Sequence, residues 1–189
     1  GVKAATQLLE KSEQVQVKIF NGERVLPYNR ARLSYYLAGE IGLNELENRL
    51  PESDARLHAF DGCNIRQVDT QSKTVTDEHG NVHEYDQLIL ATGSSVATPS
   101  IAGDDKSGVY SFRSLEDAQR LLQHRDANQN VFVIGSGPLG IETALAMKTQ
   151  TNQVYLQVRN SLFAKGLDSQ AKGVLTDYIR SNGVIVHDQ

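Results

Sequence analysis

The sequence has no tryptophan, one methionine and one cysteine, Cys63. A single thiol excludes an internal disulfide, a Cys-x-x-Cys redox pair and a zinc site built from cysteines. Long apolar runs are missing too. None approaches the roughly 18 residues that a membrane-spanning helix needs. Nor is there a basic excess, since 19 Lys and Arg stand against 23 Asp and Glu for a formal charge of −4. That balance carries no global footprint for nucleic acid, so neither a nucleic-acid nor a membrane partner is expected. The five histidines, His58, His79, His83, His124 and His187, are scattered. No His, Cys or Asp cluster has metal-ligand spacing, so no metal site is expected. A Gly-x-Ser-x-Gly nucleophile elbow is also absent. What remains is ordinary globular composition, 39% hydrophobic and 22% charged, which excludes long-range disorder and a fibrous protein. The 189 residues suffice for one domain or two small ones with a real core. Gly1 is no initiator Met, and the last segment, His187-Asp188-Gln189, comes immediately after an apolar run. Both ends are therefore expected to be cuts in a longer chain.

Apolar periodicity predicts a helix over residues 1–11, with Val2, Ala5, Leu8 and Leu9 on one face. Val15–Phe20 alternates and is β-branched, so a strand is expected there. Leu33–Ala38 and Leu43–Leu50 read as short helices, stopped by Gly39 and Pro51. Short strands are expected at Arg56–Phe60, Asn64–Val68, Thr74–Thr76 and Val82–Tyr85, the last two joined by the turn residues Glu78-His79-Gly80-Asn81. The wholly apolar Leu88–Ala91 reads as a buried strand. Ser114-Leu-Glu-Asp117 has the form of a capping box and opens a helix to about His124. After it come a strand (Val131–Ile134), a glycine-rich turn, a helix (Gly140–Thr149), a strand (Gln153–Val158), a helix (about Ser169–Ile179) and a strand (Val184–His187). That β-α-β-α-β order predicts a parallel sheet with right-handed crossovers.

The glycine-rich turn is Gly135-Ser136-Gly137-Pro138-Leu139-Gly140, a G-x-G-x-x-G match. Alone the pattern is weak. Here it follows an apolar strand and opens a helix, the context of a dinucleotide fingerprint. Gly135 permits the tight turn, Gly137 lets backbone approach a pyrophosphate, and Gly140 lets helix pack on strand. The helix N-terminus adds unpaired N–H groups and partial positive charge. The competing reading is a strand-to-helix turn with no ligand. At the end of the next strand an acid usually holds the ribose diol. Gln157 stands there instead. A neutral side chain does not repel a 2′-phosphate, and Arg159 could attract one, which favours NADPH tolerance or preference. Arg159 as a solvated loop charge is the alternative.

Three segments together resemble a family. They are Phe20-Asn-Gly-Glu23-Arg-Val-Leu-Pro27-Tyr28-Asn29-Arg30-Ala-Arg-Leu33-Ser34, then Tyr85-Asp86-Gln-Leu-Ile-Leu-Ala91-Thr92-Gly93, then Gly135-Ser-Gly-Pro-Leu-Gly140-Ile-Glu142. In this order they resemble the pyridine nucleotide-disulfide oxidoreductases. The likeness is greatest to the FAD/NAD(P)H module of the nitrite reductase large subunit, with rubredoxin and ferredoxin reductases next. The resemblance implies an α/β fold of two Rossmann-like, three-layer domains, both incomplete in this chain. Residues 1–112 would be a partial FAD-binding domain and residues 113–189 a partial NAD(P)H-binding domain.

The resemblance also assigns roles. Gly1 matches the last glycine of an FAD fingerprint, Glu23 the acid on the adenosine ribose, and Arg30 an arginine against the flavin cofactor. Ala91, Thr92 and Gly93 match the turn that meets the FAD. Glu142 matches a glutamate near the nicotinamide–flavin junction, the candidate catalytic position. Charge near a helix N-terminus is also ordinary capping electrostatics. The implied cofactors are FAD and NAD(P)H. The implied partners are a nicotinamide nucleotide and a one-electron acceptor, either an iron–sulfur and siroheme domain or a small redox protein such as rubredoxin. A homodimer of the full-length protein and a cytoplasmic setting go with that reading.

The sequence departs from thiol-using relatives. Ala31 falls where some carry a single cysteine, and Cys63 lies away from that motif, where a small buried role is expected. Glutathione reductase, lipoamide dehydrogenase and coenzyme A disulfide reductase chemistry is therefore not expected. Tyr35 stands where ferredoxin-type reductases carry Lys. Tyr35 and Tyr36 are expected in the core, with a flavin-shielding pair as the alternative.

Overall fold

A computed structural model describes the chain except residues 26, 52, 97–99, 128, 160, 164–165 and 189. In order the elements are α1 (Val2–Lys11), β1 (Val17–Asn21), α2 (Leu33–Ala38), β2 (Leu57–Asp61), β3 (Ile65–Asp69), β4 (Thr74–Asp77) and β5 (Val82–Glu84). Then follow α3 (Leu115–Arg125), β6 (Val131–Ile134), α4 (Pro138–Met147), β7 (Val154–Val158), α5 (Ser169–Ser181) and β8 (Val184–Asp188). Short 3₁₀ turns occupy Arg30–Arg32 and Leu43–Glu45.

The chain divides into two compact units, Gly1–Asn29 with Glu47–Ser94, and Arg30–Leu46 with Ser95–Gln189. This division differs from the boundary expected at 112/113. Residues 30–46 group with the second unit because Leu37 of α2 is fully buried in its core. The Arg125 guanidinium of α3 also donates to the Leu37 carbonyl (2.9 Å), and a cation is favoured at a helix C-terminus.

In the first unit β1 and β2 pair in parallel, from Val17 opposite Leu57 to Asn21 opposite Asp61. Arg56 locks this pair to α1. Its guanidinium donates to the Leu9 carbonyl (3.1 Å) and to the Asp54 carboxylate (2.6 Å). Strands β3, β4 and β5 form an antiparallel meander. The rings of Phe20 and Phe60 stack 4.7 Å apart, and His83 of β5 meets Phe20 edge-on at 4.8 Å.

Two expectations fail in this unit and its neighbourhood. Leu88–Ala91 is not a strand, and Ile89 and Leu90 are 60% and 70% exposed. A strand needs a ladder partner, and no strand among the described residues pairs with this run. The helix expected over Leu43–Leu50 shrinks to the single turn Leu43–Glu45. Glu47 instead bridges antiparallel to Tyr28, and a backbone held by that bridge cannot continue helical bonding.

The Asp77 carboxylate organises the β4–β5 hairpin. It accepts from the His79 and Asn81 backbone N–H groups (2.9 Å each), from Asn81 Nδ2 (2.9 Å), and pairs with His83 Nε2 (3.1 Å). The bonds from Asn81, with His83 adding, hold its carboxyl far below the usual carboxylate range. A depressed folded-state pKa contributes stability that is present above the ordinary value of about 4 and lost as pH falls below it. Asp77→Asn is therefore expected to lower the thermal midpoint at about pH 7. The gap to the native protein should narrow toward about pH 3. Thermal melts at both pH values check this, and a gap that ignores pH counts against it.

The second unit is the parallel sheet β6-β7-β8 in β-α-β-α-β order, as expected. Residues Val154, Leu156 and Val158 of the central strand are buried, as are Ile141, Ala144 and Met147 of α4 and Ile179 of α5. The capping box forms. Ser114 Oγ accepts from Asp117 N (3.1 Å) while the Asp117 carboxylate accepts from Ser114 N (2.9 Å). Among the described residues no helix is long and apolar enough to cross a membrane.

Candidate functional site

The glycine turn lies in the second unit at the C-terminal end of β6 and runs into α4. Gly135 has φ +138°, a region that side chains with a Cβ rarely enter. Gly140 is required for a different reason. A Cβ there would lie 2.1 Å from the Gly135 carbonyl oxygen and 2.8 Å from its carbon, so α4 could not begin against the end of β6. Gly137 is different again. Its φ is ordinary (−81°) and a Cβ would meet nothing within 4 Å. It is exposed together with Pro138 and Leu139. Pro138 occupies the first helical position, and no side chain caps the helix. Proline fits there because its missing N–H would be unpaired anyway. The result is an exposed helix N-terminus with open space at the glycine where a phosphate would approach. These residues fit a dinucleotide pyrophosphate.

The loop after β7 closes one side of this turn. Ser136 Oγ donates to the Ser161 carbonyl (3.2 Å), and the Phe163 N–H donates to the Ser136 carbonyl (3.0 Å). Lys172 Nζ of α5 donates to Ser161 Oγ (3.2 Å). Sequence reasoning missed Ser161, Phe163 and Lys172, because nothing local marks a partner 25 residues from Ser136. Gln157 stands opposite Ile134 in the ladder, and Arg159 follows Val158 into the loop, exposed. The structure thus brings Gly135–Gly140, Gln157 and Arg159 to one edge of one sheet. Glu142 sits one turn further along α4, exposed.

The remaining candidates fall elsewhere. Arg30 belongs to the second unit, where its guanidinium donates to the Arg113 carbonyl (3.3 Å). Glu23 is in the first unit, just after β1, and its carboxylate accepts from the Tyr28 hydroxyl (2.8 Å). The Tyr28 hydroxyl thereby fixes the direction of this carboxylate. Gly1 caps α1 without a side chain, and a Cβ on it would lie 3.9 Å from Ala91 Cβ. Ala91, Thr92 and Gly93 are exposed, with Gly93 at φ +69°. A helix start, an oriented acid after a strand and a glycine turn are compatible with an adenosine phosphate ligand in this unit.

Cys63 is buried, and that burial pushes its thiol pKa up, with the Asp77 and Glu78 charges adding. A thiol held neutral is a poor nucleophile, in line with the small buried role expected for it. Tyr35 departs from expectation. It is 50% exposed and is not a core residue. Among the described residues no group of three or more His, Cys, Asp or Glu could hold a metal ion.

Comparison with known proteins follows the same motifs. The family described as pyridine nucleotide-disulphide oxidoreductase matches residues 1–189. The assimilatory nitrate reductase electron transfer subunit of Bacillus subtilis (strain 168) is 31% identical over 188 residues, covering 97% of this chain and 24% of that protein. The nitrite reductase [NAD(P)H] of the same organism is 30% identical over 190 residues, covering 97% and 23%. Among solved structures, the ferredoxin reductase for the CYP199A2 system from Rhodopseudomonas palustris superposes with a TM-score of 0.88 at 24% identity, covering 97% of this chain and 46% of that one. The chain therefore spans about a quarter of those two curated relatives and under half of the solved structure.

Proposed function

The chain belongs to the pyridine nucleotide-disulphide oxidoreductase family, and from that premise we propose that it is the nucleotide-binding portion of a flavoprotein moving electrons from NAD(P)H through FAD to a one-electron acceptor. The observation that carries this reading is the Gly135–Gly140 turn. One glycine is demanded by φ, one by helix–strand contact, and one by neither. The internal structure explains the first and third glycines of the turn. Gly137 is required by neither, and the close approach of a pyrophosphate would account for it.

When bound, the nicotinamide and flavin supply the hydride chemistry, and the protein supplies placement and electrostatics. The α4 N-terminus and Gly137 would hold the pyrophosphate of NAD(P)H. Gln157 would accept the adenosine ribose without repelling a 2′-phosphate, and Arg159 would attract it. Glu23, aimed by Tyr28, would hold the ribose of FAD, with Gly1 and the Ala91–Gly93 turn against the rest of that cofactor. Arg30 would pair with a flavin-cofactor phosphate, and Glu142 would stand near the nicotinamide. No protein thiol takes part, which accords with a buried, neutral Cys63. Two relatives named for nitrate and nitrite reduction match 97% of the chain. They favour nitrite reduction as the terminal step, with electrons leaving for an iron–sulfur and siroheme acceptor. A small redox protein such as rubredoxin is the competing acceptor.

The test uses the complete protein. Its visible spectrum is recorded without oxygen before and after adding NADPH or NADH. Bleaching of a flavin band is expected with both nucleotides. Protein that carries no flavin, or flavin that neither nucleotide bleaches, reduces the chain to a nucleotide-binding module. In the same titration Arg159→Glu should weaken NADPH by about tenfold, the loss of one charge-assisted contact, while leaving NADH nearly unchanged.

A further inference from the structure

We propose that Lys172 of α5, with the Ser161 hydroxyl it holds, is a positioning device for Arg159 and through it sets the preference between NADPH and NADH. This rests on the reading of the glycine turn and Arg159 given above.

Arg159 is exposed and comes directly after β7. A phosphate contact made from a loop that is already ordered loses less freedom on binding than one made from a loose loop. The residues just beyond Arg159 are ordered from three sides. Leu162 is buried and belongs to the core cluster of the second unit. The Ser161 carbonyl and the Phe163 N–H both bond to Ser136, which stands between the first two glycines of the turn. Lys172 Nζ takes the remaining group, Ser161 Oγ, at 3.2 Å. The loop that carries Arg159 and the turn that would carry the pyrophosphate therefore share one anchor.

Two features of this arrangement work against local preference. Phe163 has φ +45°, a conformation that residues other than glycine seldom adopt and that persists only where the surroundings over-determine it. Lys172 is the fourth residue of α5, inside the turn where the helix dipole disfavours a cation. Among the described residues its ammonium makes a single bond, to a neutral hydroxyl, and no ion pair. Such a lysine contributes little to the helix that bears it. What it contributes is a loop held in place beside the glycine turn, and departures from local preference gather at functional positions. The 2′-phosphate distinguishes NADPH from NADH, so a loosened Arg159 weakens the phosphorylated nucleotide alone.

NADP⁺ and NAD⁺ are titrated calorimetrically into the complete protein, so that binding is read without turnover. Lys172→Met and Ser161→Ala remove the same bond from its two ends. Each should lower the ratio of NADP⁺ to NAD⁺ affinity by about fivefold, as loss of one hydrogen bond does. Ser161→Ala is the milder change and serves alone if thermal melts show Lys172→Met to be unfolded. Lys172→Arg keeps a donor and should keep the native ratio. In an Arg159→Glu background neither substitution should lower the ratio further, because a positioning residue has no effect once the residue it positions is gone. Native ratios in both Lys172→Met and Ser161→Ala overturn the proposal. So do losses that add to that of Arg159→Glu, and so does a loss in Lys172→Met that Ser161→Ala does not share, since the lysine would then act as a charge. A native ratio in Arg159→Glu itself overturns the reading of Arg159 and the proposal together. A lowered ratio there, with native ratios in the other two variants, overturns the proposal alone.

Discussion

Gly140→Ala is expected to lower nucleotide-dependent flavin reduction in the complete protein by on the order of a hundredfold, and to lower its thermal midpoint as well. The new Cβ would sit 2.1 Å from the Gly135 carbonyl oxygen. The obstacle is backbone, which cannot swing aside as a side chain does. Either α4 moves off β6 or the turn opens. Both displace the helix N-terminus from the place proposed for the pyrophosphate, and displacement of about 1 Å suffices for a loss of that size. Gly137→Ala supplies the contrast. Its φ is ordinary and its Cβ meets no protein atom within 4 Å. The thermal midpoint should therefore stay where it is while NADPH binding weakens. Anaerobic titration with NADPH, run beside thermal melts, separates the two outcomes. If Gly137→Ala binds NADPH as the native protein does, the open space at this glycine is not ligand space.

The second large effect is on stability. Leu156 is fully buried in the middle of β7, the central strand of the parallel sheet, and belongs to the cluster that joins α4 and α5. Leu156→Ala removes buried methyl groups and leaves a cavity, which costs about 2–5 kcal/mol. Against a typical total of about 5–15 kcal/mol that is enough to unfold part of the population at ordinary temperature. Ile185 is its control. It lies on β8 and is substantially exposed, so Ile185→Ala should cost under about 1 kcal/mol. Chemical denaturation midpoints of both variants give the comparison. Equal losses would mean that the buried and open faces of this sheet are wrongly assigned.

Much of the second unit was legible in advance because its signals are local. Val131–Ile134, the three glycines and the apolar face of α4 lie within one short stretch. Each glycine has a cause inside that stretch or in the ligand it would meet. The capping box at Ser114 and Asp117 is similarly self-contained. The misreadings share one cause. An apolar run such as Leu88–Ala91 states a demand for burial but does not say what supplies it. Leu43–Leu50 has helical spacing, yet the bridge between Glu47 and Tyr28 connects residues far apart in sequence and takes precedence. Tyr35 read as core by its aromatic character, but the short helix that carries it turns Leu37, not Tyr35, into the buried cluster.

The sequence by itself determined the parallel β-α-β-α-β order, the place of the glycine turn and the family, because periodicity and glycine spacing act over a few residues. Only the tertiary structure decided which of the three glycines the fold itself requires and that Ser161 and Phe163 hold Ser136. It also decided that α2 joins the second unit. Those are matters of distance between residues remote in the chain, and distance exists only once the core has brought them together.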